Sequence, residues 1–142
     1  MKSLIIPIFI MNRGCPNRCV FCNEKILAGN YPTVITESSL GNTVNRYLAS
    51  GGQRFDRVQI AFYGGNFTGL DQNSQDKLLH FSLPYLKAGM VHSLRLSTRP
   101  DCIDREQLRY LFHHGVRTIE IGAQSMNDSV LALAGRGHDA GT

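Results

Sequence analysis

The chain has 142 residues, 42% of them apolar, enough to build the core of one ordinary domain rather than a disordered segment. Its net charge of +4 is spread along the sequence with no run of basic residues, which excludes a nucleic-acid tail or a membrane-binding patch and admits an RNA partner without specifying one. The start, MKSLIIPIFIM, has the outline of a signal peptide, but Asn12 and Arg13 stand where small residues precede cleavage and Pro7 interrupts the apolar run. No stretch approaches the roughly 18 to 20 apolar residues of a membrane span. Four cysteines, three of them close together, do not make a secreted disulfide framework, so a reducing cytoplasm is the expected compartment.

In chain order, four short apolar or β-branched runs read as strands: Leu4 to Ile10, Arg57 to Tyr63, Ser93 to Ser97 and Thr118 to Gly122. Helical patterns separate them. Thr36 can cap a helix with Leu40, Val44, Tyr47 and Leu48 on one face and Gly51 at its end. A second helix starts near Asn73, uses Leu78, Leu79 and Leu83 as its stripe, and is expected to kink or stop at Pro84. A third opens on Asp104 with Gln107 as its N3 partner, carries Leu108, Leu111 and Phe112, and ends at Gly115. A fourth begins near Asn127 and carries Val130, Leu131 and Leu133.

Strand and helix alternating in this way imply an α/β fold with a parallel sheet and right-handed crossovers. An eight-unit barrel needs about 250 residues, roughly 31 per unit, so this length supplies about four and a half units. Two architectures satisfy that count: a small doubly wound sheet, or the first part of a barrel. The Gly-rich end from Gly135 to Thr142 supplies no closing strand and favours the second.

The most informative stretch is Gly14-Cys15-Pro16-Asn17-Arg18-Cys19-Val20-Phe21-Cys22, which places three thiols in the loop leaving the first strand. A structural zinc site and an isolated [4Fe-4S] electron carrier each want four protein ligands. Cys102 is far along the chain and reads as a small buried side chain or a bystander. Three cysteines therefore leave one iron of a cluster with an open position. The alternatives are zinc held by the cysteines and a histidine, in a structural or RNA-interaction module, and an inactive fragment.

Cys-x3-Cys-x2-Cys with an aromatic residue, Phe21, before the last cysteine resembles the signature of the radical S-adenosylmethionine (SAM) superfamily. The resemblance implies that Cys15, Cys19 and Cys22 hold a [4Fe-4S] cluster and that SAM chelates the open iron, with Phe21 near its adenine. It also implies one-electron cleavage of SAM to a 5′-deoxyadenosyl radical that takes hydrogen from a substrate not named by the sequence, an RNA or a small metabolite, with flavodoxin or ferredoxin as a suitable electron donor.

Gly64-Gly65 follows the second strand, where such proteins carry a glycine-rich turn whose backbone meets the amino end of SAM; Asn66 stands where many relatives have Glu or Thr. Leu96-Ser97-Thr98-Arg99-Pro100-Asp101, Gly122-Ala123-Gln124-Ser125 and Gly135-Arg136-Gly137-His138 look like the branch containing the Elongator catalytic subunit and the oxygen-independent coproporphyrinogen oxidases. In that branch the residues matching Gln124 and Arg136 help to hold SAM, and His138 is the one histidine kept as a site candidate. The resemblance makes residues 1–142 the first four βα units of a six-unit, TIM-like partial barrel with outer helices, truncated on its C-terminal side. Substrate determinants are then expected in the half beyond it.

Overall fold

The computed structural model describes residues 2–11, 14–22, 34–51 and 54–142. Four strands, β1 (Ser3–Phe9), β2 (Arg57–Tyr63), β3 (Ser93–Thr98) and β4 (Val116–Ile121), form one sheet in the order β1-β2-β3-β4. Every pairing is parallel: Ile6 lies opposite Ile60, Ile60 opposite Leu94 and Leu96 opposite Ile119. The helices are α1 (Glu37–Ala49), α2 (Gln72–Lys87), α3 (Arg105–His113) and α4 (Asp128–Leu133). The strand positions inferred from apolar runs hold to within one or two residues.

Alternation along the strands gives the sheet two different faces. Ile6, Ile8, Val58, Ile60, Phe62, Leu94, Leu96 and Val116 form the apolar face and pack with Leu40 and Val44 of α1, Leu78 and Leu79 of α2 and Leu111 of α3. Burial of these side chains from water is the main force holding the layers together. The opposite face carries Ile5, Pro7 and Phe9 on β1 and is mainly polar over β2, β3 and β4. On it, Gln59 donates to Ser93 Oγ at 2.9 Å, Arg95 Nε donates to Glu120 Oε1 at 2.9 Å, and Tyr63 Oη donates to the same oxygen at 3.4 Å. Burial, offset in part by the Arg95 charge, holds the Tyr63 hydroxyl above its ordinary pKa of 10.0.

The helix ends follow their caps. The hydroxyl of Thr36 accepts from Ser39 N, and Ser39 Oγ accepts from Thr36 N, a reciprocal box at the start of α1. Asp104 accepts from Gln107 N at 2.8 Å as expected, but the Gln107 side chain turns away to donate to Gln75 Oε1 at 2.8 Å, joining α3 to α2.

Two expectations are corrected. Pro84 does not stop α2, which continues to Lys87; the bond that proline cannot make is the one to the carbonyl of His80, an exposed residue. Leu108 and Phe112 are not core residues of α3, being 45% and 57% exposed, because the helix meets the core near the β4 edge through Leu111 and Tyr110. The Arg117 guanidinium instead covers the Phe112 ring, 4.0 Å from its centroid.

Leu96, with no exposed surface, reports on the core, whereas Leu133 is 81% exposed. Leu96→Ala is expected to lower the unfolding free energy by about 2–5 kcal/mol, and Leu133→Ala by no more than about 0.5 kcal/mol. Urea titrations of the two variants would check this, and equal losses would contradict the layer assignment.

Candidate functional site

All four strands point their C-terminal ends at one rim, and the loops leaving them enclose a cavity of about 420 Å³. From the β1 loop come Cys15, Asn17, Cys19, Phe21 and Cys22. The turn after β2 adds Gly64, Gly65 and Asn66, β3 adds Ser97, Thr98 and Arg99, and β4 with its following segment adds Glu120, Gly122, Gln124 and Arg136. The structure thus brings Cys15, Cys19, Cys22, Phe21, Gly64, Gly65, Gln124 and Arg136 to one cavity, but not His138. His138 lies just behind it and accepts from Arg136 Nε at 3.3 Å. Cys102 is half-buried on the short helical turn Pro100–Cys102 and does not line the cavity.

The cysteine loop is seated at both ends. At its start, Gly14 has a φ of +83° and lies back to back with Gly69; a Cβ on either would overlap the other loop's backbone. Only glycine permits that approach. Asn66, 1% exposed, completes the joint: its Nδ2 donates to Gly14 O at 2.7 Å, while its Oδ1 accepts from Thr98 Oγ1 at 3.0 Å and from Arg99 N at 3.2 Å. One amide therefore ties the loops after β1, β2 and β3 together. At its other end, Val20 N donates to Ala134 O at 3.0 Å, and Asn17 Nδ2 donates to Arg136 O at 3.4 Å.

The three thiols differ in their surroundings. Cys15 and Cys22 are exposed, and Cys19 is buried. Among the described residues, no three His, Cys, Asp or Glu side chains already stand together as an ion site. The donor chemistry nevertheless fits an iron-sulfur cluster: three sulfur ligands on one short loop, facing a cavity lined by glycine backbone and guanidinium groups. Phe21 is 56% exposed at the mouth. Gln124 adopts a φ of +71°, a left-handed conformation that costs a non-glycine residue about 1–2 kcal/mol.

Arg99 and Arg136 are both buried within the site. Arg99 forms a two-pronged bond with Asp101, Nε to Oδ1 at 2.8 Å and Nη2 to Oδ2 at 2.9 Å. Burial pushes the Asp101 carboxyl up, but the hydrogen bonds and charge of Arg99 outweigh it and hold it below 3.8. Arg136 donates to Cys19 Sγ at 3.1 Å and to the Gly122 carbonyl.

Sequence reasoning missed Asn66 as the joint, Asn17 as the clasp on residues 136–137, and the polar inner face. Arg95 and Glu120 did leave a signal, each being a charge flanked on both sides by apolar strand residues, Leu94 and Leu96 in one case and Ile119 and Ile121 in the other.

A parallel α/β sheet carries a triple-cysteine loop and a double-glycine turn at its C-terminal rim. Residues 9–141 match the model of the radical SAM superfamily, so the chain belongs to that superfamily. Among curated proteins, it is 29% identical to an uncharacterized protein of Methanocaldococcus jannaschii, over 97% of this chain and 44% of that protein. It is 25% identical to the heme chaperone HemW of Synechocystis, over 87% of this chain and 31% of that one. It is 21% identical to the tRNA uridine(34) acetyltransferase of Dehalococcoides mccartyi, over 96% and 36%. Among solved structures, the archaeal Elp3 of Methanocaldococcus infernus superposes with a TM-score of 0.66 at 16% identity, covering 99% of this chain and 33% of that one. The chain thus spans less than half the length of the relatives it matches. The Elp3 likeness shows the fold, a partial radical SAM barrel.

Two outcomes follow from the geometry. Asn66→Ala leaves the Gly14 carbonyl and the Arg99 amide without partners and should cost about 3 kcal/mol in a denaturant titration. Because the Asp101 pKa is lowered in the fold, its contribution to stability is present above about pH 3.8 and is lost as pH falls through the lower folded value. Asp101→Asn should flatten the stability-against-pH curve in that acid window and nowhere else.

Proposed function

We propose that the chain is the cluster- and SAM-binding part of a radical SAM enzyme, with a [4Fe-4S] cluster held by Cys15, Cys19 and Cys22. The observation that carries this reading is the convergence of three thiols, the Gly64-Gly65 turn and Gln124 on one cavity at the strand ends of a superfamily fold. What the cluster and SAM supply when bound is transfer of one electron into the sulfonium S–C5′ bond, giving methionine and a 5′-deoxyadenosyl radical that takes a hydrogen atom from the substrate. The chain's own residues bind and orient. Gly64 and Gly65 present backbone to the amino end of SAM, Gln124 and Arg136 offer polar side chains, and Phe21 offers its ring to the adenine.

Support for these roles differs from residue to residue. Gln124 holds a costly backbone conformation at the rim, which a ligand contact would explain. Arg136 already uses three N–H donors on chain atoms, leaving two of the five a guanidinium carries. A small one-electron carrier such as flavodoxin or ferredoxin is a suitable reductant. No described helix is long and apolar enough to cross a membrane, and cysteines outside any disulfide suit the reducing cytoplasm. The tRNA uridine in one relative's name belongs to that protein; an RNA or a small metabolite is the substrate class proposed here.

The test is anaerobic reconstitution with iron and sulfide, followed by electron paramagnetic resonance of the reduced protein with and without SAM. A cluster signal that changes on adding SAM is expected, and Cys19→Ala should lose both the cluster and deoxyadenosine formation. A colourless protein that takes up zinc, binds RNA in a salt-sensitive way and ignores SAM would replace this reading with a structural module.

A further inference from the structure

Cys19 is the buried thiol of the three, and two guanidinium groups reach its sulfur. Arg136 Nη1 lies 3.1 Å from Cys19 Sγ, and Arg99 Nη1 lies 4.0 Å from it. Arg99 and Arg136 are only 3% and 5% exposed, so neither charge is screened by bulk water. Both are fixed in place. Arg99 is held by both oxygens of Asp101 and donates to the Arg136 carbonyl, and Arg136 is held by the Gly122 carbonyl and by His138.

Among the described residues the local charges do not cancel. Asp101 answers one of the two guanidinium groups, and Glu120, a carboxylate on the cavity wall, is taken by Arg95. Within that set one buried positive charge is left facing the sulfur. A buried cation without an anion costs several kcal/mol, so the pocket is built around negative charge at Cys19. The geometry also separates the thiols, because Cys15 and Cys22 are exposed.

We propose that Arg136, backed by Arg99, is a positioning residue for the cluster itself: by donating to Cys19 Sγ and supplying uncompensated positive charge, it raises the cluster's reduction potential. This rests on the reading that Cys15, Cys19 and Cys22 hold a [4Fe-4S] cluster. An electron entering such a cluster from an external one-electron reductant increases the negative charge on iron and sulfur. Donors and fixed cations at a ligand sulfur therefore stabilise the reduced state more than the oxidised one. The role is distinct from holding SAM, since it operates before SAM binds.

The experiment is a dithionite titration with redox mediators on the reconstituted full chain, without SAM, following the reduced cluster by electron paramagnetic resonance. Iron content is measured alongside in wild type, Arg136→Met, Arg136→Lys and Arg99→Lys. At the wild-type midpoint, Arg136→Met should lower the ratio of reduced to oxidised cluster about tenfold, equivalent to about 59 mV for one electron. Arg136→Lys keeps the charge but loses the fixed fork, and should fall between the two. Arg99→Lys should shift least, given its longer reach to the sulfur. An unchanged midpoint in Arg136→Met with a full complement of iron overturns the proposal. If that variant takes up no iron, Arg136→Lys decides by the same measurement. Failure of the wild type to form any cluster would instead remove the reading beneath the proposal, and the proposal with it.

Discussion

The side-chain amide of Asn66 is buried where three loops meet, and it has a partner on each side: the Gly14 carbonyl on one, the Thr98 hydroxyl and the Arg99 amide on the other. A buried amide must find such partners or destabilise the fold by several kcal/mol, so its position is over-determined. Because Gly14 directly precedes Cys15, that single side chain sets where the cysteine loop begins relative to β2 and β3. The pairing of Gly14 with Gly69 adds a steric condition to the same joint. The relation of the thiols to the glycine turn and to Arg99 depends on this contact.

The sheet below it explains why such a joint is needed. All four strands run parallel in sequence order, and most of their buried apolar side chains lie on the helix face. At the C-terminal rim that core extends, among the described residues, only through Ile10, Phe67 and Leu70. The loops there are otherwise held by polar contacts with one another, and the inner face carries its own chain of hydrogen bonds from Gln59 to Ser93 and from Tyr63 and Arg95 to Glu120. In a closed barrel the interior is packed with branched apolar side chains. Here it carries hydrogen-bonding and charged side chains over β2, β3 and β4, which suits a cavity that admits charged and hydrogen-bonding ligands.

Much of this was legible in the sequence because it is carried by local pattern. Strand alternation, the caps at Thr36 and Asp104, the cysteine spacing and the glycine pair are each read within a window of a few residues. Gln124 and Arg136 were found through resemblance to a family and do line the cavity. Asn66, Asn17 and the charge balance around Cys19 were not legible, since their partners lie far off: Gly14 is 52 positions from Asn66, and Arg136 is 117 from Cys19. Helix periodicity also overstated burial. Leu108 and Phe112 have the right spacing, but α3 lies against the edge of the sheet and spacing says nothing about what is there to cover them.

The clasp between Val20 and Ala134, and between Asn17 and Arg136, has a consequence for the order of assembly. Each strand pairs with the one made just before it, so the sheet can grow as the chain leaves the ribosome, one βα unit at a time. The cysteine loop is synthesised well before the residues that close over it, Arg136 following Asn17 by 119 positions. Until Ala134 to Arg136 emerge, Cys19 has neither its cover nor the Arg136 guanidinium. Nascent chains therefore present three accessible thiols on a half-built scaffold, a stage at which oxidants and stray metals compete for them, and the seat is completed only when synthesis has passed the fourth helix.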